Sequence, residues 1–135
     1  MTKATLSQTV PKKILIIEDE GDIAFLLNLM LADKKTEVEN VKTLAGAMLY
    51  LDKQIPDMVM LDNRLPDGLG LDFITHIHGN YPSVKIIMIS GYHSAEIKDI
   101  ALDNGADMFL EKPFTKDQIY HAVHELLGLE KGIPA

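Results

Sequence analysis

The chain has 135 residues, enough for one domain with a buried core. Hydrophobic residues make up 47% and charged residues 24%, the balance of a globular protein, and the absence of cysteine excludes disulfides, thiolate metal sites and a cysteine nucleophile. A balance of 13 basic against 20 acidic residues leaves −7, which argues against a surface for nucleic acid; with no apolar stretch near the roughly 20 residues of a membrane span and no apolar signal core in Met1–Val10, a cytoplasmic chain with no membrane and no direct nucleic acid contact is expected.

Residues 1–11 read as a flexible N-terminal tail. The first apolar run, Ile14–Ile17, is a strand, β1, and runs into Glu18-Asp19. Behind it Ile23, Leu26, Leu27, Met30 and Leu31 fall at i, i+3, i+4, i+7 and i+8, the buried face of a helix, α1. The more polar Glu37–Val41 reads as an edge strand, β2. Thr43 is placed to cap α2, which continues to about Lys53 with Leu44, Ala47, Met48 and Leu51 facing inward. Met58–Leu61 forms β3 and runs into Asp62. Leu71, Ile74 and Ile77 mark α3, stopped by Gly79 and Pro82. Ile86–Ile89 forms β4 and runs into Ser90. Ser94 opens α4, buried through Ile97, Ile100 and Ala101 and stopped at Asn104-Gly105. Met108–Leu110 forms β5, followed by Glu111-Lys112-Pro113. Thr115 and Gln118 make a capping box for α5, whose face is Ile119, Ala122, Val123, Leu126 and Leu127. Residues 130–135 read as a C-terminal tail, so the folded domain is expected over residues 12–129.

Four of the strands are apolar on consecutive residues, as strands covered on both faces are. Alternation with helices then predicts a doubly wound α/β fold, (βα)5, on a parallel sheet. Ligands bind such sheets outside the carboxyl ends of the strands, and there the chain places three carboxylates, a hydroxyl and an ammonium. Two carboxylates about 4 Å apart repel by roughly 4 kcal/mol at an effective dielectric of ~20. A hard cation among them removes that cost, and oxygen donors suit Mg²⁺.

Other residues take plainer roles. His121 and His124, at i and i+3 off the apolar face of α5 with no carboxylate set beside them, read as solvated surface. His76 and His78 lie on different sides of α3. Gly68 and Gly70 suit a turn and a helix start, since no Walker lysine or dinucleotide fingerprint surrounds them. Met30, Met48, Met58, Met60, Met88 and Met108 fit core positions.

Four segments in order, Ile14–Glu20 (ILIIEDE), Pro56–Gly70 (PDMVMLDNRLPDGLG), Ile89–Tyr92 (ISGY) and Gly105–Phe114 (GADMFLEKPF), closely resemble the marks of two-component response regulator receiver domains. The match runs from about Lys12 to Leu129. The resemblance implies a flavodoxin-like five-stranded parallel sheet of order 2-1-3-4-5, with Asp62 as phosphoacceptor. It implies that Glu18, Asp19, Asp62 and the backbone carbonyl of Arg64 hold Mg²⁺, the Arg64 side chain pointing elsewhere. Ser90 and Lys112 would meet phosphoryl oxygens, Phe109 would be the aromatic switch partner of Ser90, and Pro113 would follow a cis peptide bond. Two departures, Glu18 for the commoner aspartate and Ser90 for threonine, keep every required chemical group.

The function so implied is a phosphorylation-activated switch, not a conventional enzyme, that carries only self-catalysed phosphotransfer and autodephosphorylation. Its expected partners are a sensor histidine kinase or phosphotransfer protein and, through the face of α4, β5 and α5, an unknown downstream protein or its own dimer. Arg64 and Tyr92 occupy positions that tune the phosphoryl lifetime in the family. The rival reading is a pseudo-receiver, an interaction module working without phosphate, against which the presence of Asp62, Lys112 and the acidic pair argues. A Mg²⁺-dependent phosphatase would need an acid two residues after the nucleophile, where Arg64 stands. No output domain follows α5, which leaves a stand-alone regulator and a receiver cut from a longer protein both open.

Overall fold

The computed structural model describes residues 10–91 and 95–129. In chain order the main elements are β1 (Lys12–Ile17), α1 (Gly21–Leu31), β2 (Thr36–Val41), α2 (Leu44–Lys53), β3 (Met58–Asp62), α3 (Gly70–Asn80), β4 (Lys85–Ser90), α4 (Ala95–Asn104), β5 (Met108–Glu111) and α5 (Lys116–Leu127). The five strands form one parallel sheet in the order β2-β1-β3-β4-β5. This is the doubly wound, flavodoxin-like fold expected from the sequence. The chain starts in the middle, goes out to the β2 edge, and returns across β1 to build the other half. The reversal leaves the crevice at the carboxyl ends of β1 and β3.

The consecutive apolar residues of the strands divide between two faces because side chains alternate along a strand. Leu15, Ile17, Val59, Leu61, Ile86 and Met88 face the layer of α2, α3 and α4, against Leu51, Ile74, Ile77 and Ala101. Ile14, Ile16, Met58, Met60, Ile87 and Ile89 face the layer of α1 and α5, against Leu27, Leu31, Ile119 and Val123. Each such side chain, once fully buried, contributes about 1.5–3 kcal/mol relative to exposure.

The helix ends follow their local chemistry. Thr43 accepts a hydrogen bond from the Gly46 amide and caps α2. Thr115 and Gln118 form the reciprocal capping box of α5, which closes on Gly128 in the left-handed region. α4 ends at Asn104, and Gly105 follows with φ of +122°. Ser94, expected to cap α4, lies outside the described residues, as do Tyr92 and residues 1–9 and 130–135 of the expected tails.

Some inward assignments need correction. Leu26 is 47% exposed, Met48 40% and Ile100 42%. In α1 the buried stripe is Ala24, Leu27 and Leu31, and Leu26 stands about 100° round the helix from Leu27. α1 is apolar nearly all round, so periodicity assigns it a wider face than the sheet covers. His121 is also not without a carboxylate neighbour, since its Nε2 lies 3.3 Å from Glu125 Oε1 in an exposed pair. A short antiparallel ribbon between β3 and α3, Arg64–Leu65 paired with Gly68–Leu69, was not expected. Strands of two residues are too short to show a period.

Candidate functional site

Strand register brings the candidate residues to one edge. Ile17 lies beside Leu61, Asp62 beside Ile89, and Ser90 beside Glu111. The residues that end or follow these strands therefore meet across spacings of about 4.8 Å. Glu18, Asp62 and Ser90 are buried, whereas Asp19 is exposed. One carboxylate oxygen from each of Glu18, Asp19 and Asp62 lies within 4.8 Å of the other two. Asp19, Asp62, Arg64, Ser90 and Lys112 line a cleft of about 510 Å³.

Lys112 sits among the acids. Its Nζ lies 3.2 Å from Asp62 Oδ1 and 3.3 Å from Glu18 Oε1. Burial pushes the Asp62 carboxyl above its ordinary range, against the lowering influence of Lys112 and of a hydrogen bond from the Asn63 amide; the charge of Asp19 adds to the rise. Burial likewise raises Glu18, opposed by the Glu20 amide, which donates to Glu18 Oε2 at 3.1 Å, while the Asp62 charge adds to the rise. For Lys112 burial acts downward, but Asp62 and Glu18 outweigh it, so the ammonium is held above its ordinary pKa. Lys112 thus pairs with two of three clustered carboxylates, and a divalent cation bound by oxygen would offset the charge that remains. Glu18, Asp19 and Asp62 fit Mg²⁺ in donor chemistry and spacing.

The remaining predicted residues fall nearby. The Lys112 amide donates to the Ser90 carbonyl at 2.9 Å, which ties the turn after β5 to the end of β4. The Lys112–Pro113 peptide is cis. Phe109 is half-buried and packs against the layer of α2, α3 and α4. It lies beside Met88, two residues before Ser90 along β4.

Three residues that sequence reasoning did not single out hold the site's backbone. Asn63, buried beside the phosphoacceptor candidate, accepts from the Gly70 amide through its carbonyl at 2.7 Å and from the Leu71 amide through Oδ1 at 2.9 Å. Asn40 donates from Nδ2 to the Ile16 carbonyl at 3.0 Å and the Glu18 carbonyl at 3.2 Å, bracing the acidic turn from the edge strand. Asp67 accepts from the Leu44 and Ala45 amides at 2.9 and 3.0 Å. Their one advance signal was residue type, because Asn and Asp bond readily to nearby backbone. A Cβ on Gly70 would collide with the Asp62 carbonyl oxygen, so the start of α3 packs directly on the end of β3.

The chain is similar to known proteins over most of its length. The family described as the response regulator receiver domain matches residues 14–124. Response regulator protein PilR of Pseudomonas aeruginosa is 34% identical over 118 residues, 87% of this chain and 26% of that protein. The chain spans roughly a quarter to a half of the length of the curated relatives it matches, from 24% to 54%. A response regulator receiver domain protein (CheY-like) from Methanospirillum hungatei is 28% identical, with a TM-score of 0.83 over 88% of this chain and 95% of that one. The solution structure of the beryllofluoride-activated NtrC4 receiver domain dimer is 29% identical, with a TM-score of 0.82 over 86% of this chain and 96% of that one.

Proposed function

This chain belongs to the response regulator receiver domain family, and we propose that it works as a phosphorylation-operated switch of a two-component relay, with Asp62 as its phosphoacceptor. The observation that carries the reading is the meeting of Asp62 with Glu18, Asp19 and Lys112 at one edge of the sheet. A carboxylate is a weak nucleophile, so position and charge neutralisation supply most of the rate. A carboxylate oxygen of Asp62 attacks phosphorus in line. The new O–P bond forms as the P–N bond of a phosphohistidine, or the P–O bond of a small phosphodonor, breaks, and the electron pair leaves with the donor.

Lys112 lies within reach of the Asp62 carboxylate and would neutralise an oxygen of the incoming group, while the Ser90 hydroxyl would donate to another. Glu18, Asp19, Asp62 and the Arg64 carbonyl would hold Mg²⁺, which neutralises phosphoryl charge when bound. The same groups admit hydrolysis, in which a water oxygen attacks phosphorus, the bond to Asp62 breaks, and the carboxylate is restored. The signal is then self-limiting.

The donor in this reading is a sensor histidine kinase or a phosphotransfer protein, in the cytoplasm. Withdrawal of the Ser90 hydroxyl toward the phosphoryl group opens space for Phe109, and the face of α4, β5 and α5 changes for a downstream protein or a second copy. The similarity to a beryllofluoride-activated receiver domain dimer supports the second-copy form of that output. Incubation with acetyl phosphate and Mg²⁺ followed by intact mass tests the central step. A gain of about 80 Da, one phosphoryl group, is expected in the parent chain and not in Asp62→Asn. An adduct that persists in the variant would overturn the assignment.

A further inference from the structure

We propose that Asp67 is a positioning residue for the metal-binding loop: by bonding to the first turn of α2, it fixes the ribbon that carries the Arg64 carbonyl. The inference rests on the reading of the site given above. Asp67 is not one of the three clustered carboxylates, and its oxygens are engaged by α2 instead.

Its geometry is specific. Asp67 stands at the tip of the ribbon, between Arg64–Leu65 and Gly68–Leu69. Its two carboxylate oxygens are divided between two amides, Oδ1 taking Leu44 N at 2.9 Å and Oδ2 taking Ala45 N at 3.0 Å. The first amides of a helix have no partner within it. In α2 the Gly46 amide is satisfied locally by Thr43 Oγ1 at 2.9 Å, while Leu44 and Ala45 depend on a carboxylate more than 20 residues away. Two of these three amides are thus capped from the loop behind Asp62. The negative charge also suits the positive end of the helix dipole, and these bonds hold the Asp67 carboxyl below its ordinary pKa.

Packing reinforces the tie. Gly68 has φ of +154°, and a Cβ there would lie 3.0 Å from Leu44 Cδ1, so the ribbon and the start of α2 are in close contact. At its other end the loop is fixed to α3 by Asn63, through Gly70 N and Leu71 N. Arg64 lies between these two anchors and pairs with Leu69 in the ribbon. Release of the Asp67 anchor removes both of the ribbon's hydrogen bonds to α2 and leaves the Asn63 anchor and the packing of Leu65 and Gly68 to hold it. A carbonyl that must meet an ion with strict octahedral demands then loses part of its preorganisation. Linkage makes the effect reciprocal: metal binding must order the first turn of α2 by the same free energy that α2 lends to the metal.

The test is Mg²⁺ titration with amide hydrogen exchange read by NMR, which requires no phosphotransfer. In the parent chain Mg²⁺ is expected to slow exchange at Leu44 and Ala45. In Asp67→Ala the Mg²⁺ affinity is expected to fall about threefold to tenfold, below the range typical of direct outer-shell partners of a metal ligand, and the slowing at those amides to vanish. Asp67→Asn, which keeps one acceptor oxygen, should recover part of the affinity. Thr43→Ala removes the local part of the same cap, the bond to Gly46 N, without touching the ribbon; it should lower stability and leave Mg²⁺ affinity unchanged. Equal affinity in Asp67→Ala and the parent, or equal weakening by Thr43→Ala, would overturn the positioning role alone. Failure of the parent chain to bind Mg²⁺ would overturn the reading of the site and this inference with it.

Discussion

Asp62 and Glu18 are two buried anions that share one ammonium, and this fixes the sign of several substitutions. Both carboxyls are raised in the fold, chiefly by burial. A folded pKa above the unfolded one means that the native state holds the proton more tightly. Ionisation therefore costs stability as pH rises from the ordinary carboxylate value of about 4 through the raised native value. Asp62→Asn removes one of these charges and keeps the Glu18–Lys112 pair at 3.3 Å. Without Mg²⁺ at neutral pH the variant should melt higher than the parent, at about 3–6 °C per kcal/mol for a chain of this size, and the gap should close as pH falls below about 4. Mg²⁺ should reverse the order by stabilising the parent, by about 2.7 kcal/mol at a hundred times its dissociation constant. Lys112→Ala has the opposite sign to Asp62→Asn, because it leaves Glu18 and Asp62 uncompensated. Scanning calorimetry of the three proteins with EDTA and then Mg²⁺ checks the whole set; a metal-free Asp62→Asn that melts below the parent would contradict the electrostatic account. These residues were legible in the sequence because each is a polar residue ending or closely following an apolar run. Asn40, Asn63 and Asp67 were not, since what they do depends on partners brought close only by the fold.

At the scale of elements, what was legible followed from how completely each element is covered. Of the four strands apolar on consecutive residues, β1, β3 and β4 are buried on both faces, while β5, at the edge of the sheet, is only half-buried. The helices are covered on one side only, and there the sequence overstated the inward face: Met48 and Ile100 follow helical spacing yet stand in solvent. Local caps such as Thr43 and the Thr115–Gln118 box were legible because both partners lie within three residues of each other. Close approach of two elements has no such local sign, and the start of α3 shows the consequence. A methyl group on Gly70 would meet the Asp62 carbonyl oxygen and lie 3.0 Å from Leu61 Cγ, with backbone that cannot step aside cheaply. Gly70→Ala should cost about 1–3 kcal/mol, the usual range for overpacking. Gly79, in the same helix, has nothing within 4 Å of a built Cβ. Gly79→Ala should instead gain up to about 0.5–1 kcal/mol from helix propensity. Urea denaturation of the two variants gives the comparison, and a Gly70→Ala as stable as the parent would mean that α3 is free to slide away from the end of β3.

For the molecule as a whole, the question is how a change at the sheet edge reaches a surface. Ser90 is buried at the end of β4, and Phe109 is half-buried on the neighbouring strand in the cluster that contains Ala101 of α4 and Ala106. A close-packed interior does not absorb a side-chain movement locally, so a shift of Phe109 must be answered by α4. Beyond it Ile100 and Leu102 of α4 and Tyr120 of α5 are exposed, on two of the elements whose packing would change. Beryllofluoride, as a mimic of the phosphoryl group proposed on Asp62, should therefore shift amide resonances of α4, β5 and α5 and leave the far edge, β2, nearly still. Ser90→Ala separates binding from transmission. It keeps Asp62, Glu18, Asp19 and Lys112, so beryllofluoride should still bind, but the hydroxyl proposed to draw away from Phe109 is gone. The distant shifts should shrink while those near Asp62 remain. If the α4, β5 and α5 shifts persisted in full in Ser90→Ala, the route would not run through Ser90 and Phe109. If they were absent from the parent chain as well, the fold would carry the phosphoryl site without the switch, since a ligand moves an equilibrium only by its differential contacts with the two states.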